Sequence, residues 1–171
     1  MKSSKTKSKD TFQNQIVKFN SLLTGAKMAQ FSSALLIGFS LAHVYNFKEN
    51  IVVVMSLLVG ALALLFFLNN FLSIKHFKQK SYTHTSLISS VSKFKSYIAK
   101  RKKYEMYFMS FWALTLVPYA AIYFDSNILG IVVVFLGLGL VGLLGELAFK
   151  KVDKLIMSLE DDIEKELVDI S

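Results

Sequence analysis

Four uncharged segments of the chain are each long enough to cross the hydrocarbon core of a bilayer as a helix. They cover residues 28–47, 51–74, 106–124 and 126–145, and charged residues lie at or next to their ends. A helix rises about 1.5 Å per residue and the hydrocarbon core is about 30 Å thick, so roughly 20 apolar residues span it. The pattern predicts an all-α membrane protein with four transmembrane helices.

The predicted spans divide the chain into five segments. Two transmembrane hairpins cover residues 28–74 and 105–149. A basic N-terminal segment precedes them, a basic amphipathic linker joins them and an acidic amphipathic helix follows them; these are residues 1–27, 75–104 and 150–171. With about half the chain in lipid, no room is left for a separate soluble domain of ordinary size.

The distribution of charge predicts the orientation of the spans. The net charge is +8, and the basic residues lie before span one, between spans two and three and after span four, whereas the other two loops hold only Lys48. Because basic residues stay on the cytoplasmic side, we expect a multi-pass protein of the cytoplasmic (inner) membrane with both termini inside. The expected partner of such a protein is the lipid bilayer with its anionic cytoplasmic leaflet, and no nucleic acid is expected.

A cleaved signal peptide is an alternative interpretation of span one. The sequence Ser40-Leu41-Ala42 loosely matches a small-x-small cleavage motif. The region before the apolar segment would then be about 30 residues, much longer than the basic region of a signal peptide. The four-span interpretation is therefore favoured.

The polar segments carry apolar residues at helical spacing, which predicts amphipathic helices. The linker stripe consists of Leu87, Val91, Phe94 and Ile98, and the tail stripe of Val152, Ile156, Leu159, Ile163, Leu167 and Ile170. Since the linker is basic and the tail acidic, we expect them to pair as a short coiled coil, within one chain or between chains. The alternative for the linker is that it lies on the anionic leaflet.

Breaks in the pattern predict where the helices end. No Gly or Pro separates the tail from span four, so residues 129–169 are predicted to form one helix, and residues 86–118 likewise. Loops are predicted at residues 80–85 and at Gly25. Pro118 lies in the middle of span three and is predicted to kink it.

Small residues inside the spans predict close helix packing, because helices in lipid associate where backbones can approach. These residues are Ala34, Gly38 and Ala42 in span one, Ser56 and Gly60 in span two, and Gly137, Gly139, Gly142 and Gly145 in span four. Whether they contact helices of the same chain or of another chain stays open. The glycine string in span four is not a dinucleotide fingerprint, since it lies in an apolar span with no strand beside it.

Two polar residues beside the spans are candidates for a functional role. Glu146 lies four residues before Lys150, a spacing that favours an interfacial ion pair over the alternative, a proton-coupled role. Gln30 lies near the end of span one, where an interhelical hydrogen bond is favoured over ligand binding.

The sequence offers no chemistry typical of an enzyme. The absence of cysteine excludes thiolate chemistry and cysteine-based metal sites. His43, His76 and His84 have no metal-ligand spacing, and no nucleophile–base pair, P-loop or pair of intramembrane carboxylates is present. We therefore predict no catalytic residue, cofactor or metal site.

The expected function is helix-mediated interaction by a non-enzymatic integral membrane protein, in a regulatory, accessory or scaffold role. The cytoplasmic helices would contact a protein partner or a second copy in a homo-oligomer. One alternative is a small channel or transporter in which Glu146, Gln30 and His43 line a path. A weaker alternative is a lipid-modifying enzyme with His76 or His84 as the base.

The layout resembles that of small uncharacterised four-span membrane proteins of Bacteroidota. The matching parts are the linker helix at residues 87–104, Pro118 and the charged tail at residues 150–167. The resemblance implies a regulatory or accessory role. The ratio of nineteen lysines to one arginine also fits an AT-rich bacterial genome. The span number is similar to that of small multidrug-resistance transporters, but those have a carboxylate in the middle of span one, where this sequence has none.

Overall fold

The computed structural model describes residues 2–77 and 82–170, and for residues 2–10, 76 and 167–170 the backbone alone. The regular elements of this part are all helical: α1 (Lys2–Asn46), α2 (Ile51–Phe71), a 3₁₀ turn (Lys75–Phe77), α3 (His84–Thr115), α4 (Val117–Tyr123) and α5 (Asn127–Ile170). Four helical segments within it are long and apolar enough to cross a membrane: Thr11–Asn46, Ile51–Phe71, His84–Tyr123 and Asn127–Glu166. The prediction of an all-α chain with four such helices is confirmed.

Three of the helices continue from apolar into polar sequence. They are α1, α3 and α5, with 45, 32 and 44 residues. At about 1.5 Å per residue, α5 is roughly 65 Å long, about twice the thickness of the hydrocarbon core. The prediction of one uninterrupted helix over residues 129–169 is confirmed.

The predicted loop at Gly25 is wrong, because this residue lies inside α1. Its neighbours Leu22, Leu23 and Ala26 are all buried in a core shared with other helices. Glycine costs a helix interior about 1 kcal/mol relative to alanine. Packing on both sides of Gly25 outweighs that cost, so the helix continues.

Both ends of α3 are defined by local sequence. Thr83 caps its N-terminus, where the Thr83 side chain accepts a hydrogen bond from the Ser86 amide and the Ser86 side chain accepts one from the Thr83 amide. The helix therefore begins at His84, inside the predicted loop, of which residues 80 and 81 lie outside the described residues. The predicted single helix over residues 86–118 is wrong at its C-terminal end, because α3 ends at Thr115 and the helix is interrupted at Leu116. Pro118 lies in the first turn of α4, where its missing N–H leaves no bond unmade.

The helices form two bundles that meet end to end. In the first, called the apolar bundle (residues 28–71, 104–123 and 127–148), α2 packs between α1 and α3, and α4 packs on α5. In the second, called the terminal bundle (residues 12–26, 74–77, 82–101 and 149–166), the polar halves of α1, α3 and α5 and the 3₁₀ turn after α2 form one hydrophobic core. That core consists of Phe19, Leu22, Leu23, Ala26, Ile74, Phe77, Leu87, Val91, Phe94, Ile98, Phe149, Ile156 and Leu159.

The surfaces of the two bundles differ in polarity. The apolar bundle exposes many large hydrophobic side chains, among them Leu62, Phe135, Leu136 and Leu143. A monomer in water rarely exposes a contiguous apolar surface of this extent. The outside of the terminal bundle is instead mainly polar and charged.

Candidate functional site

The apolar stripes of the linker and the tail pack against each other inside the terminal bundle. The linker residues Leu87, Val91, Phe94 and Ile98 and the tail residues Ile156 and Leu159 are buried, while Val152 and Ile163 pack at the edge. The side chains of Leu167 and Ile170 lie outside the described part. A third helix, α1, completes the core, since the Phe19 ring packs edge-on against Phe94 at 5.8 Å between centroids. Both stripes therefore fill the core of their own chain.

Ion pairs surround this core and match the charge complementarity of the sequence. Lys95 Nζ lies 2.7 Å from a carboxylate oxygen of Glu160, and Lys102 pairs with Asp153 at 3.5 Å. The tail also pairs with α1, through Lys18 and Asp162 at 2.6 Å. Because these side chains are all substantially exposed, each pair contributes about 0–1 kcal/mol.

A buried polar contact lies near the outer end of the terminal bundle. Gln15 Nε2 donates to Glu166 Oε2 at 2.9 Å, and both residues are at most 9% exposed. His84 Nδ1 lies 3.8 Å from the same carboxylate, and the His84 ring stacks on Phe12 at 4.0 Å. The hydrogen bond offsets the cost of burying an amide and a carboxylate.

These contacts give His84, which is considered above as a base, a packing role at the end of the bundle. The side chain of His76 lies outside the described residues. Among the side chains that the structure describes, no group of three His, Asp or Glu residues could hold a metal ion.

The junction of the two bundles contains an ion pair that did not stand out in the sequence. Arg101 donates from Nε and Nη2 to the two carboxylate oxygens of Glu105, at 2.6 and 3.3 Å. The guanidinium also lies over the Phe149 ring at 5.3 Å. Burial raises the pKa of the nearby Tyr97 hydroxyl, so this ring stays neutral. The four-residue spacing of Arg101 and Glu105 is the signal that could have indicated the pair.

The three residues proposed for a transport path lie in different surroundings. Glu146 is largely exposed on α5 and pairs with Lys150 at 2.8 Å. Gln30 donates to the main-chain carbonyl of Leu72 and so joins α1 to the end of α2. The His43 ring packs against the ring of Tyr119 at a tilt of 48°, with 4.7 Å between the centroids.

Gln30 and His43 also lie far apart on the same helix. They are 13 residues apart in the sequence, or about 20 Å along the axis of α1. No single site therefore holds both residues, and the channel interpretation stays a prediction.

The predicted packing residues fall into two groups. Gly60 has a neighbouring helix in close contact, since a Cβ there would lie 3.2 Å from atoms of both Thr115 and Trp112. Gly142 faces Met106, at 3.6 Å from such a Cβ, and the partly buried Ser56 donates to the carbonyl of Val53 in its own helix. The remaining positions have open space or are exposed: Ala34, Gly38, Ala42, Gly137, Gly139 and Gly145. For these, packing against a second chain stays a prediction.

Span one packs through a different set of small residues. Ala26, Ser33 and Ser40 are buried at intervals of seven residues, and the Ser40 hydroxyl accepts a hydrogen bond of 3.0 Å from the indole N–H of Trp112. This contact gives the deep tryptophan its polar partner. The seven-residue repeat of small side chains is the signal in the sequence that indicates this face.

Comparisons with protein-family models, with curated proteins and with solved structures find no match to this chain. The function therefore has to be inferred from the geometry of the two bundles and their surfaces.

Proposed function

We propose that the chain is a four-span protein of the cytoplasmic membrane that has both termini inside the cell. It acts without catalysis, through helix-mediated interaction with a protein partner or a second copy, in a regulatory, accessory or scaffold role. The observation that carries this proposal is that α1, α3 and α5 each contribute to both bundles. A contact made on the terminal bundle can therefore tilt or shift the spans, because the same helices run through both.

The exposed apolar side chains support the membrane placement. Leu62, Leu136 and Leu143 are each more than 60% exposed and lie on the outside of the apolar bundle. Lipid would cover this surface, and the lysines concentrated around the terminal bundle favour its location on the cytoplasmic side.

Cysteine labelling tests the orientation, since the chain has no cysteine of its own. We expect a membrane-impermeant maleimide to label Glu49→Cys, in the turn between α1 and α2, in intact cells. The exposed positions Ser96→Cys and Lys165→Cys should be labelled only after the membrane is permeabilised. The cysteine-free parent is the control, and the opposite labelling pattern would contradict the proposal.

The filled core changes which surface a partner can use. The linker and tail stripes are occupied by the chain itself, so a partner has to contact the polar outer faces of the terminal bundle. Deleting the tail would uncover Phe19 and Phe94 and so cause nonspecific association. Site-specific cross-linking in the native membrane is the cleaner experiment.

A photo-reactive amino acid at Glu164, an exposed position of the tail, is expected to give an adduct with a second copy or with another protein. The same amino acid at the lipid-facing Leu136 is the control and should give no adduct of defined mass. If Glu164 and the exposed Lys93 of α3 both give no protein adduct, the interaction proposal fails.

A further inference from the structure

An open cleft of about 1130 Å³ lies between α1 and the C-terminal end of α2. Lys27 and Lys75 line it, together with the apolar side chains of Phe31, Ala34 and Leu68. No acidic side chain is among the described residues that line it. The cleft is thus basic and apolar at once.

The basic and apolar parts of the cleft follow one another along a single face of α1. Phe31 and Ala34 come four and seven residues after Lys27, so they share its face and lie about 6 and 10 Å further along the axis. On α2, Leu68 is followed by the polar residue Asn69 and, just beyond the end of the helix, by Ser73, and both also line the cleft. Both walls therefore change from polar to apolar in the same direction.

In the proposed orientation, this gradient matches the inner half of a bilayer. Lys27 and Lys75 lie next to the cytoplasmic ends of spans one and two, at the depth of the phosphate groups. Phe31, Ala34 and Leu68 lie within the hydrocarbon. A phospholipid has the same arrangement, with its charged headgroup at the membrane surface and its acyl chains in the hydrocarbon.

The two lysines are available for a ligand. Neither takes part in an ion pair within the part of the chain described by the structure, whereas Lys18, Lys95 and Lys102 are paired with acids. The hydrogen bond from Gln30 to the Leu72 carbonyl joins the two walls of the cleft.

We propose that this cleft binds one anionic phospholipid of the cytoplasmic leaflet. Lys27 and Lys75 contact the phosphodiester, and an acyl chain packs along Phe31, Ala34 and Leu68. This proposal depends on the membrane placement proposed above and adds a defined lipid site to it. The bound lipid would fix the spacing of α1 and α2 at the junction of the two bundles.

Lipid binding by the delipidated full-length protein in neutral detergent tests the proposal. Native mass spectrometry would compare phosphatidylglycerol, phosphatidylcholine and glycerol phosphate. We expect preferential binding of phosphatidylglycerol and no binding of glycerol phosphate. Because each lysine near an anionic headgroup contributes about a factor of five, the double variant Lys27→Ala/Lys75→Ala should bind phosphatidylglycerol about 25-fold more weakly.

The matched control is Lys151→Ala/Lys154→Ala, which removes the same charge from exposed positions outside the cleft and should leave binding unchanged. Equal loss in the control would show diffuse attraction and overturn the proposal. Binding of glycerol phosphate equal to that of the lipid would also overturn it, because the site would then recognise free phosphate.

A second variant tests the apolar part without changing charge. Ala34→Trp fills the apolar part of the cleft and should weaken phosphatidylglycerol binding. Ala42→Trp, at an exposed position further along α1, should leave binding unchanged. Unchanged binding by Ala34→Trp would overturn the proposed acyl-chain path. Binding in detergent does not depend on orientation, so this result is independent of the cysteine labelling.

Discussion

Replacing Gly130 with alanine is expected to lower the free energy of unfolding by about 2 kcal/mol. A Cβ at this position would lie 2.7 Å from the Ala121 Cα and 2.9 Å from the Ala120 carbonyl carbon. These are main-chain atoms of α4, which cannot rotate away as a side chain can. To admit one methyl group, α4 has to move from α5, and overpacking of this kind costs about 1–3 kcal/mol.

The matched control is Gly139→Ala on the same helix. No atom outside the helix lies within 4 Å of its Cβ position, so the only expected effect is the helix propensity of alanine, a gain of up to about 1 kcal/mol. Thermal unfolding in detergent, followed by circular dichroism, should give a lower midpoint for Gly130→Ala alone. Equal midpoints would show that α4 and α5 do not pack as closely as described.

The features predicted correctly from the sequence are those that depend on local pattern. Length and hydropathy identify the four apolar helices, and the lack of Gly or Pro between residues 146 and 169 makes α5 continuous. The stripe of Phe94 and Ile98 and the stripe of Ile156 and Leu159 have helical spacing and opposite flanking charges. Their pairing could therefore be anticipated, although not that it occurs within one chain.

The features missed are those decided by tertiary packing. Span one has small residues on two faces, and the sequence does not show whether Ser33 and Ser40 or Ala34 and Gly38 meet a neighbour. In the structure Ser33 and Ser40 are buried, whereas the face with Ala34 and Gly38 is exposed. Gly25 was predicted as a loop because local propensity does not include the core on either side of it.

The candidate lipid cleft was also beyond sequence reasoning. Lys27 and Lys75 lie on either side of the first hairpin and come together only because α1 and α2 are antiparallel neighbours. Each lysine alone looks like an ordinary residue at the end of a span. Only the arrangement of the two helices shows that they share a cavity with apolar walls.

Replacing Phe94 with alanine is expected to have the largest effect on the terminal bundle, about 3–5 kcal/mol. Phe94 is 1% exposed, and its ring packs against Phe19, Phe77 and Tyr97 at centroid distances of 5.4–5.8 Å. Truncation would leave a cavity at the meeting point of α1, α3 and the 3₁₀ turn. The surface of this bundle is polar, so its stability in water depends on that core.

Limited proteolysis of the protein in vesicles, with the terminal bundle accessible to protease, would measure this effect. Phe94→Ala should be cleaved much faster within residues 84–101 and 149–166, while the apolar bundle stays protected by lipid. Ile88→Ala on the same helix is the control, since Ile88 is 37% exposed and its truncation leaves no enclosed cavity. If Phe94→Ala were as resistant as the parent, the linker would be held by the membrane surface and not by α1 and the tail. In that case the terminal bundle could not transmit a contact to the spans.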